Sequence, residues 1–115
     1  MIRLINTGTY EAEIYTAELI ESPVSSKPIF KVCYQIDRGP QGGNRCFEYF
    51  QLFGSRWKIN ALLEKLELKE LTNDNIVEYI EDVLKLIPGR RVEIVVTQLS
   101  YEGMYYNRVN WRRPL

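Results

Sequence analysis

From Tyr10 to Leu19 the chain reads as one long strand whose parity changes partway. Tyr10, Ala12 and Ile14 share one face, while Ala17 and Leu19 share the other. A β-bulge near Tyr15 or Thr16 reconciles the two halves, and bulges bend strands that curl into barrels. Ser22 to Pro28 reads as a loop from its proline and serine content. A second strand is predicted over about Ile29–Asp37 and a third over about Arg45–Phe53, joined by a hairpin connection at Gly39-Pro40-Gln41-Gly42-Gly43. Placing Asp37 opposite Arg45 brings Ile36 to Cys46, Val32 to Phe50 and Phe30 to Leu52, a continuous apolar face. The opposite face then carries Lys31, Cys33 and Gln35 beside Arg45, Phe47, Tyr49 and Gln51. Glu48 breaks the pattern by falling on the apolar side near Tyr34, as its hydrogen-bond partner at a barrel end.

The period changes after Gly54 and Ser55, which stop the strand and cap a helix. Ile59, Leu62, Leu63 and Leu66 recur at helical spacing. A second helix is predicted over about Asn75–Ile87, with Ile76, Ile80, Val83, Leu84 and Ile87 on one face and Pro88-Gly89 ending it. Strands four and five follow, over about Arg91–Leu99 and Met104–Arg112. A turn at Glu102-Gly103 sets Tyr101 opposite Met104, so Val96 faces Val109 and Ile94 faces Trp111. On the other face Glu93 meets Arg112, Thr97 meets Arg108 and Leu99 meets Tyr106. That register puts Trp111 with the core and gives Arg112 a cross-strand partner.

Five strands, a bulged first strand and helices inserted between strands three and four match a mainly β, five-stranded barrel of the oligonucleotide/oligosaccharide-binding kind, the OB fold. The whole chain, residues 1–115, is expected to be a single OB-like domain, since 115 residues suffice for one core and not for two. A split α+β sandwich with both helices covering an open sheet is the competing architecture. In the barrel the ligand face centres on strands two and three, flanked by the loops Ser22–Pro28 and Leu99–Tyr105.

Composition narrows the function. Lys and Arg number 15 and so do Asp and Glu, a formal net charge of zero, which argues against a histone-like or polybasic binder. The charge is uneven: Asn60–Lys85 holds seven acids and three lysines, a net of −4, and the remainder carries +4 from twelve basic and eight acidic residues. Such asymmetry steers anions to one face, and it is also what two solvated helices would show. The absence of histidine removes the commonest general base and metal ligand. The Gly39–Gly43 run lacks the Lys-Ser/Thr of a phosphate loop. Glu81-Asp82 is an adjacent pair on one helix, and Cys33 has no visible activating base. An enzyme is therefore not expected, nor a cofactor. Cys33 and Cys46 show no metal spacing and, lying on opposite faces, should not bridge. No apolar run approaches the length of a membrane span, and the start has no extended apolar segment of a secretion signal. A cytoplasmic protein is expected.

The chemistry-bearing feature is the alternation of rings and cations on the strands. Rings stack on nucleobases and guanidinium groups pair with phosphates, as in single-stranded nucleic-acid surfaces. Aromatic residues are also good strand formers, and arginines keep edges soluble. Phe47 and Tyr49 are the expected stacking platforms, with Tyr106 and Tyr101 continuing the track. Lys31, Arg45 and Arg108 are the expected phosphate contacts, and Arg56 with Trp57 at the start of the first helix forms a second-rank pair. No contact reads one base over another. The alternative is a protein–protein adaptor that binds no nucleic acid.

Several stretches also carry a family resemblance. They are Gly8-Thr9-Tyr10-Glu11-Ala12-Glu13-Ile14, Lys27-Pro28-Ile29-Phe30-Lys31-Val32, Trp57-Lys58-Ile59 opening a Leu-rich helix, Gly89-Arg90-Arg91-Val92, and Tyr101-Glu102-Gly103 followed by Asn107-Arg108-Val109. In this order and spacing, over nearly the whole length, the chain resembles small phage-encoded single-stranded-DNA-binding proteins, a family formerly catalogued only as a domain of unknown function. The resemblance implies an OB barrel that coats single-stranded DNA during bacteriophage replication or recombination, in the cytoplasm of a bacterial host. Replication or recombination proteins would be its partners, and small barrels of this kind are expected to form a homo-oligomer, a dimer or larger. Many single-stranded-DNA-binding proteins recruit partners through an acidic tail. This chain ends Arg112-Arg113-Pro114-Leu115, so recruitment would fall to another acidic element such as the second helix, whose acids equally suit a solvated face.

Overall fold

The strands and helices follow the order read from the pattern. The structure, a computed structural model, describes residues 4–22, 25–53 and 56–115. It contains strands β1 (Gly8–Glu21), β2 (Pro28–Ile36) and β3 (Arg45–Gln51), helices α1 (Trp57–Lys65) and α2 (Ile76–Leu86), then strands β4 (Arg91–Tyr101) and β5 (Met104–Pro114). The five strands form one antiparallel sheet in the order β3-β2-β1-β4-β5. Gly54 and Ser55, the expected stop and cap before α1, lie outside the described residues.

β1 is the hub of the sheet. Its first half, Gly8 to Glu13, pairs with β4, and Ala12 to Glu21 pairs with β2. The register on β2 shifts between Ile14 and Thr16, so Tyr15 is the extra residue of the expected bulge. The bulge turns Tyr15 outward while Ala12 and Ile14 stay fully buried. Beyond the β1–β4 ladder, Ile14 exchanges backbone hydrogen bonds with the turn before β4: its N–H donates to Arg90 O and its O accepts from Gly89 N–H, both at 2.8 Å. Gly89 takes a left-handed φ of 91° there, which its missing Cβ permits.

The β2–β3 register differs from expectation by two residues. Phe30 pairs with Phe50, Val32 with Glu48, Tyr34 with Cys46 and Gln35 with Arg45. The reason lies in the hairpin, where Ile36 N–H donates to Asn44 O and Ile36 O accepts from Gly43 N–H, so the β2–β3 pairing closes there and does not extend to Asp37. The Asp37 N–H donates to Glu11 O at 3.0 Å, and its carboxylate pairs with Arg91. A slip of two keeps every side chain on its expected face, because the strand period is two. Phe30, Val32, Tyr34, Ile36, Cys46 and Phe50 are accordingly buried. β3 also ends at Gln51, two residues short of Phe53.

The β4–β5 hairpin keeps the expected register from Tyr101–Met104 to Ile94–Trp111. Its turn residues Glu102 and Gly103 both have positive φ, 51° and 79°, as a type I′ connection requires. The register shifts between Glu93 and Ile94, so Glu93 pairs with Arg113 and not with Arg112. Glu93 nevertheless holds ion pairs with both arginines, at 3.4 and 3.2 Å.

One core runs through sheet and helices. Ile59, Leu62 and Leu63 of α1 and Ile76, Ile80 and Val83 of α2 join the inward residues of all five strands, with Trp111 half-buried against them. Side-chain amides fix the connections. Asn60 holds the backbone of buried Leu71 through both its N–H and its C=O. Asn107 does the same for fully buried Ile5, strapping the segment before β1 across the closing hairpin. Both cysteines are free. Cys33 has the outer-face parity expected, yet it is buried.

Candidate nucleic-acid interface

β3 and β5 are the two edges of the sheet, and no ladder joins them among the described residues. They are bridged instead by Glu48, which accepts the Trp111 backbone N–H at 3.2 Å. Between these edges lies a cleft of about 440 Å³, lined by Phe47, Glu48 and Tyr49 of β3, Lys58 of α1, Leu99 of β4 and Tyr106 to Asn110 of β5. Four of the expected binding residues thus converge: Phe47, Tyr49, Tyr106 and Arg108. Tyr49 is 54% and Tyr106 48% exposed, leaving ring surface open to a ligand. Period two explains the convergence, since Phe47 and Tyr49 share one face of β3, and Tyr106 and Arg108 share one face of β5.

The remaining expected residues are distributed around it. Trp57, the first residue of α1, is 68% exposed and lines a second hollow with Glu48, Lys58, Ala61, Asn110 and Trp111. That hollow shares Glu48, Lys58 and Asn110 with the cleft, so the two adjoin. Lys31 lies 4.4 Å from the centroid of Phe47 and 3.7 Å from Glu18 Oε1, so it both pairs and covers one face of that ring. Arg45 stacks at 3.9 Å on Tyr15 and donates to Gln35, away from the cleft lining. Arg56 is committed to structure: it donates to Leu52 O at 3.2 Å and to Asn73 Oδ1 at 2.6 Å. Tyr101 is exposed at the tip of the β4–β5 hairpin, outside the cleft.

Sequence reasoning misses Lys58 and Tyr15. Lys58 follows Trp57 on a helix whose entry angle the pattern does not reveal. Tyr15 stands in the pattern only as a bulge residue, and it is the bulge's outward turn that makes its ring available to Arg45. Glu48 is legible only as the partner of Tyr34. That bond exists, with Tyr34 Oη donating to Glu48 Oε1 at 2.7 Å.

Glu48 is the electrostatic centre of the site. Burial pushes its carboxyl from the ordinary 4.5 up to about 7, against the lowering effect of the Tyr34 and Trp111 hydrogen bonds and of nearby Lys58. Burial, with Glu48 beside it, holds the Tyr34 phenol well above its usual range. Burial also pushes the Cys46 thiol up to about 12 and raises that of Cys33. Arg108, by contrast, makes no ion pair among the described residues.

No protein-family model matches the chain, and no curated protein matches its sequence.

Proposed function

We propose that this chain is a sequence-tolerant single-stranded-DNA-binding protein whose strand-binding track is the cleft between β3 and β5. The observation that carries the reading is the meeting of Phe47, Tyr49, Tyr106 and Arg108 across two strands distant in sequence. Three rings supply stacking, worth about 1–3 kcal/mol per base, and Arg108 with Lys58 supplies cations at the rim. An OB barrel fits this use. The sheet order, the bulged β1 shared by both halves, the helices between β3 and β4, and the β3–β5 edges facing one another across Glu48 all support it. A role in phage replication or recombination rests on the sequence resemblance alone.

The test is fluorescence anisotropy with single- and double-stranded oligonucleotides over a salt series. Single strands should bind in preference to duplex. With about two or three phosphate contacts, log K should fall by roughly 1.5–2 units per decade of salt. Tyr49→Ala and Tyr106→Ala should each weaken binding by about 1–3 kcal/mol without unfolding the protein. Folded variants that bind as well as the parent would remove the cleft as the site. A protein–protein adaptor is the second reading. It is favoured by one observation, a wholly apolar groove of about 150 Å³ formed by Leu19, Pro28, Leu52, Phe53, Ile76, Val77 and Ile80.

A further inference from the structure

The chain has two tryptophans, and both line the hollow beside the cleft. Trp57 opens α1 and is 68% exposed. The helix buries Ile59, Leu62 and Leu63, which by helical spacing lie on its opposite side. The fold therefore draws little burial from the largest side chain of that helix. Trp111 of β5 is half-buried: it packs against the core and also borders the hollow. Its indole N–H has no hydrogen-bond partner among the described residues, and none of their buried side-chain nitrogens lacks one, so that polar edge reaches solvent. The hollow has a volume of about 170 Å³, and Glu48, Lys58, Ala61 and Asn110 complete its lining.

What enters a hollow beside two tryptophans is decided by its neighbours. It adjoins the cleft through Glu48, Lys58 and Asn110. Of these only Lys58 carries a positive charge, and its ammonium lies 5.9 Å from the centroid of the Trp57 ring. The wall common to the two hollows thus offers a strand one cation for its backbone and indole rings for its bases. The bases of a single strand are unpaired and can splay apart, so successive bases can enter adjoining hollows while the phosphate between them stays at the wall. A duplex keeps its bases paired and stacked inside. An apolar side chain of a protein partner would cover Lys58 without giving it a counter-charge, which a strand supplies.

We propose that the hollow bordered by Trp57 and Trp111 is a second stacking subsite, which takes one base of a single strand whose neighbouring base lies in the cleft, with the phosphate between them at Lys58. This proposal rests on the single-strand reading and adds to it a second base and two ring residues. Trp57 is the principal platform, because most of its surface is free. Trp111 bounds the guest on the β5 side with the part of its ring that the core leaves uncovered. Every base has a π-face, so the subsite accepts all four.

The experiment uses the protein's own fluorescence. Trp57 and Trp111 are the only tryptophans of the chain, so tryptophan emission reports on this hollow alone. Titration with an unlabelled all-thymine strand should change that emission in step with the binding curve measured by anisotropy. The change should persist in Trp57→Phe, where Trp111 is the sole reporter, and in Trp111→Phe, where Trp57 is. Trp57→Ala should unfold in urea as the parent does, yet bind the strand about fivefold or more weakly, the loss expected of one stacked base. Trp57→Phe keeps a ring and should lose less. Should a variant fail to fold, the emission of the parent protein decides alone. A strand that binds without altering tryptophan emission, or a folded Trp57→Ala protein that loses less than about fivefold, overturns the proposal and leaves the cleft reading standing. Binding to no single strand overturns both.

Discussion

Glu48→Gln should make the protein more stable at neutral pH, although it removes a charge that is hydrogen-bonded twice. The replacement is isosteric, and its amide oxygen can accept from Tyr34 Oη and Trp111 N–H as Oε1 does. What it removes is the cost of ionising a carboxyl that is only 6% exposed. In the folded protein that cost exceeds the help from the two donors and Lys58, so the carboxyl titrates at about 7 instead of 4.5. A group whose folded value lies above its unfolded value contributes its full stability below the unfolded value and loses it as pH rises through the folded one. For Glu48 that window runs from about 4.5 to about 7. At about 1.4 kcal/mol per unit, the loss amounts to about 3 kcal/mol. For a domain whose total stability is about 5–15 kcal/mol this is a large share. Urea unfolding of both proteins at pH values from about 4.5 to 8.5 measures it, because groups unaffected by the substitution cancel in the difference. The stability of the variant minus that of the parent should rise by about 3 kcal/mol across the window, a midpoint shift of more than about 1 M urea. A flat difference, or one that falls with pH, would show that the hydrogen bonds and Lys58 outweigh desolvation, and the electrostatic account of the cleft would be wrong.

Asn60→Ala should cost about 2 kcal/mol of stability by urea unfolding, since it leaves both the N–H and the C=O of buried Leu71 without their partner; a loss under about 0.5 kcal/mol would contradict the clamp. Mass spectrometry under non-reducing conditions should find Cys33 and Cys46 as free thiols that react sluggishly at neutral pH, because burial raises both. An intramolecular disulfide would contradict the β2–β3 register. Light scattering should report a dimer or larger assembly, as expected of a small sheet with two free edges; a strict monomer at high micromolar concentration would refute it.

The faces of the strands were legible because period two is local. Each side chain's side of the sheet follows from its neighbours two positions away, and a slip of two residues in β2–β3 left every assignment standing. The slip itself was not legible. It depends on where the hairpin closes, through the bonds of Ile36 with Gly43 and Asn44 and the left-handed Gly39 and Gly43, and a glycine-rich run is compatible with more than one such closure. The single-residue shift at Glu93 was hidden for a similar reason: Arg112 and Arg113 are adjacent arginines, and either satisfies the carboxylate. Asn60 and Asn107 carried no periodic signal at all. An amide that clamps a distant backbone looks, in sequence, like any polar residue on a helix or strand.

The same distinction separates the rings from the cations of the candidate site. An exposed ring stays available to a ligand whatever its neighbours' charges, so strand parity alone selected Phe47, Tyr49 and Tyr106. A cation is available only if nothing nearer neutralises or engages it. Lys31 is held by Glu18 and Phe47, Arg45 by Tyr15 and Gln35, Arg56 by Leu52 and Asn73, and Arg91, Arg112 and Arg113 by carboxylates. Of the cleft's two cations, Lys58 lies 5.9 Å from the centroid of the Trp57 ring and near Glu48, and Arg108 has no ion pair or ring contact among the described residues. On the proposed function, a cleft with so few uncommitted cations would draw its affinity for a single strand from stacking on its rings.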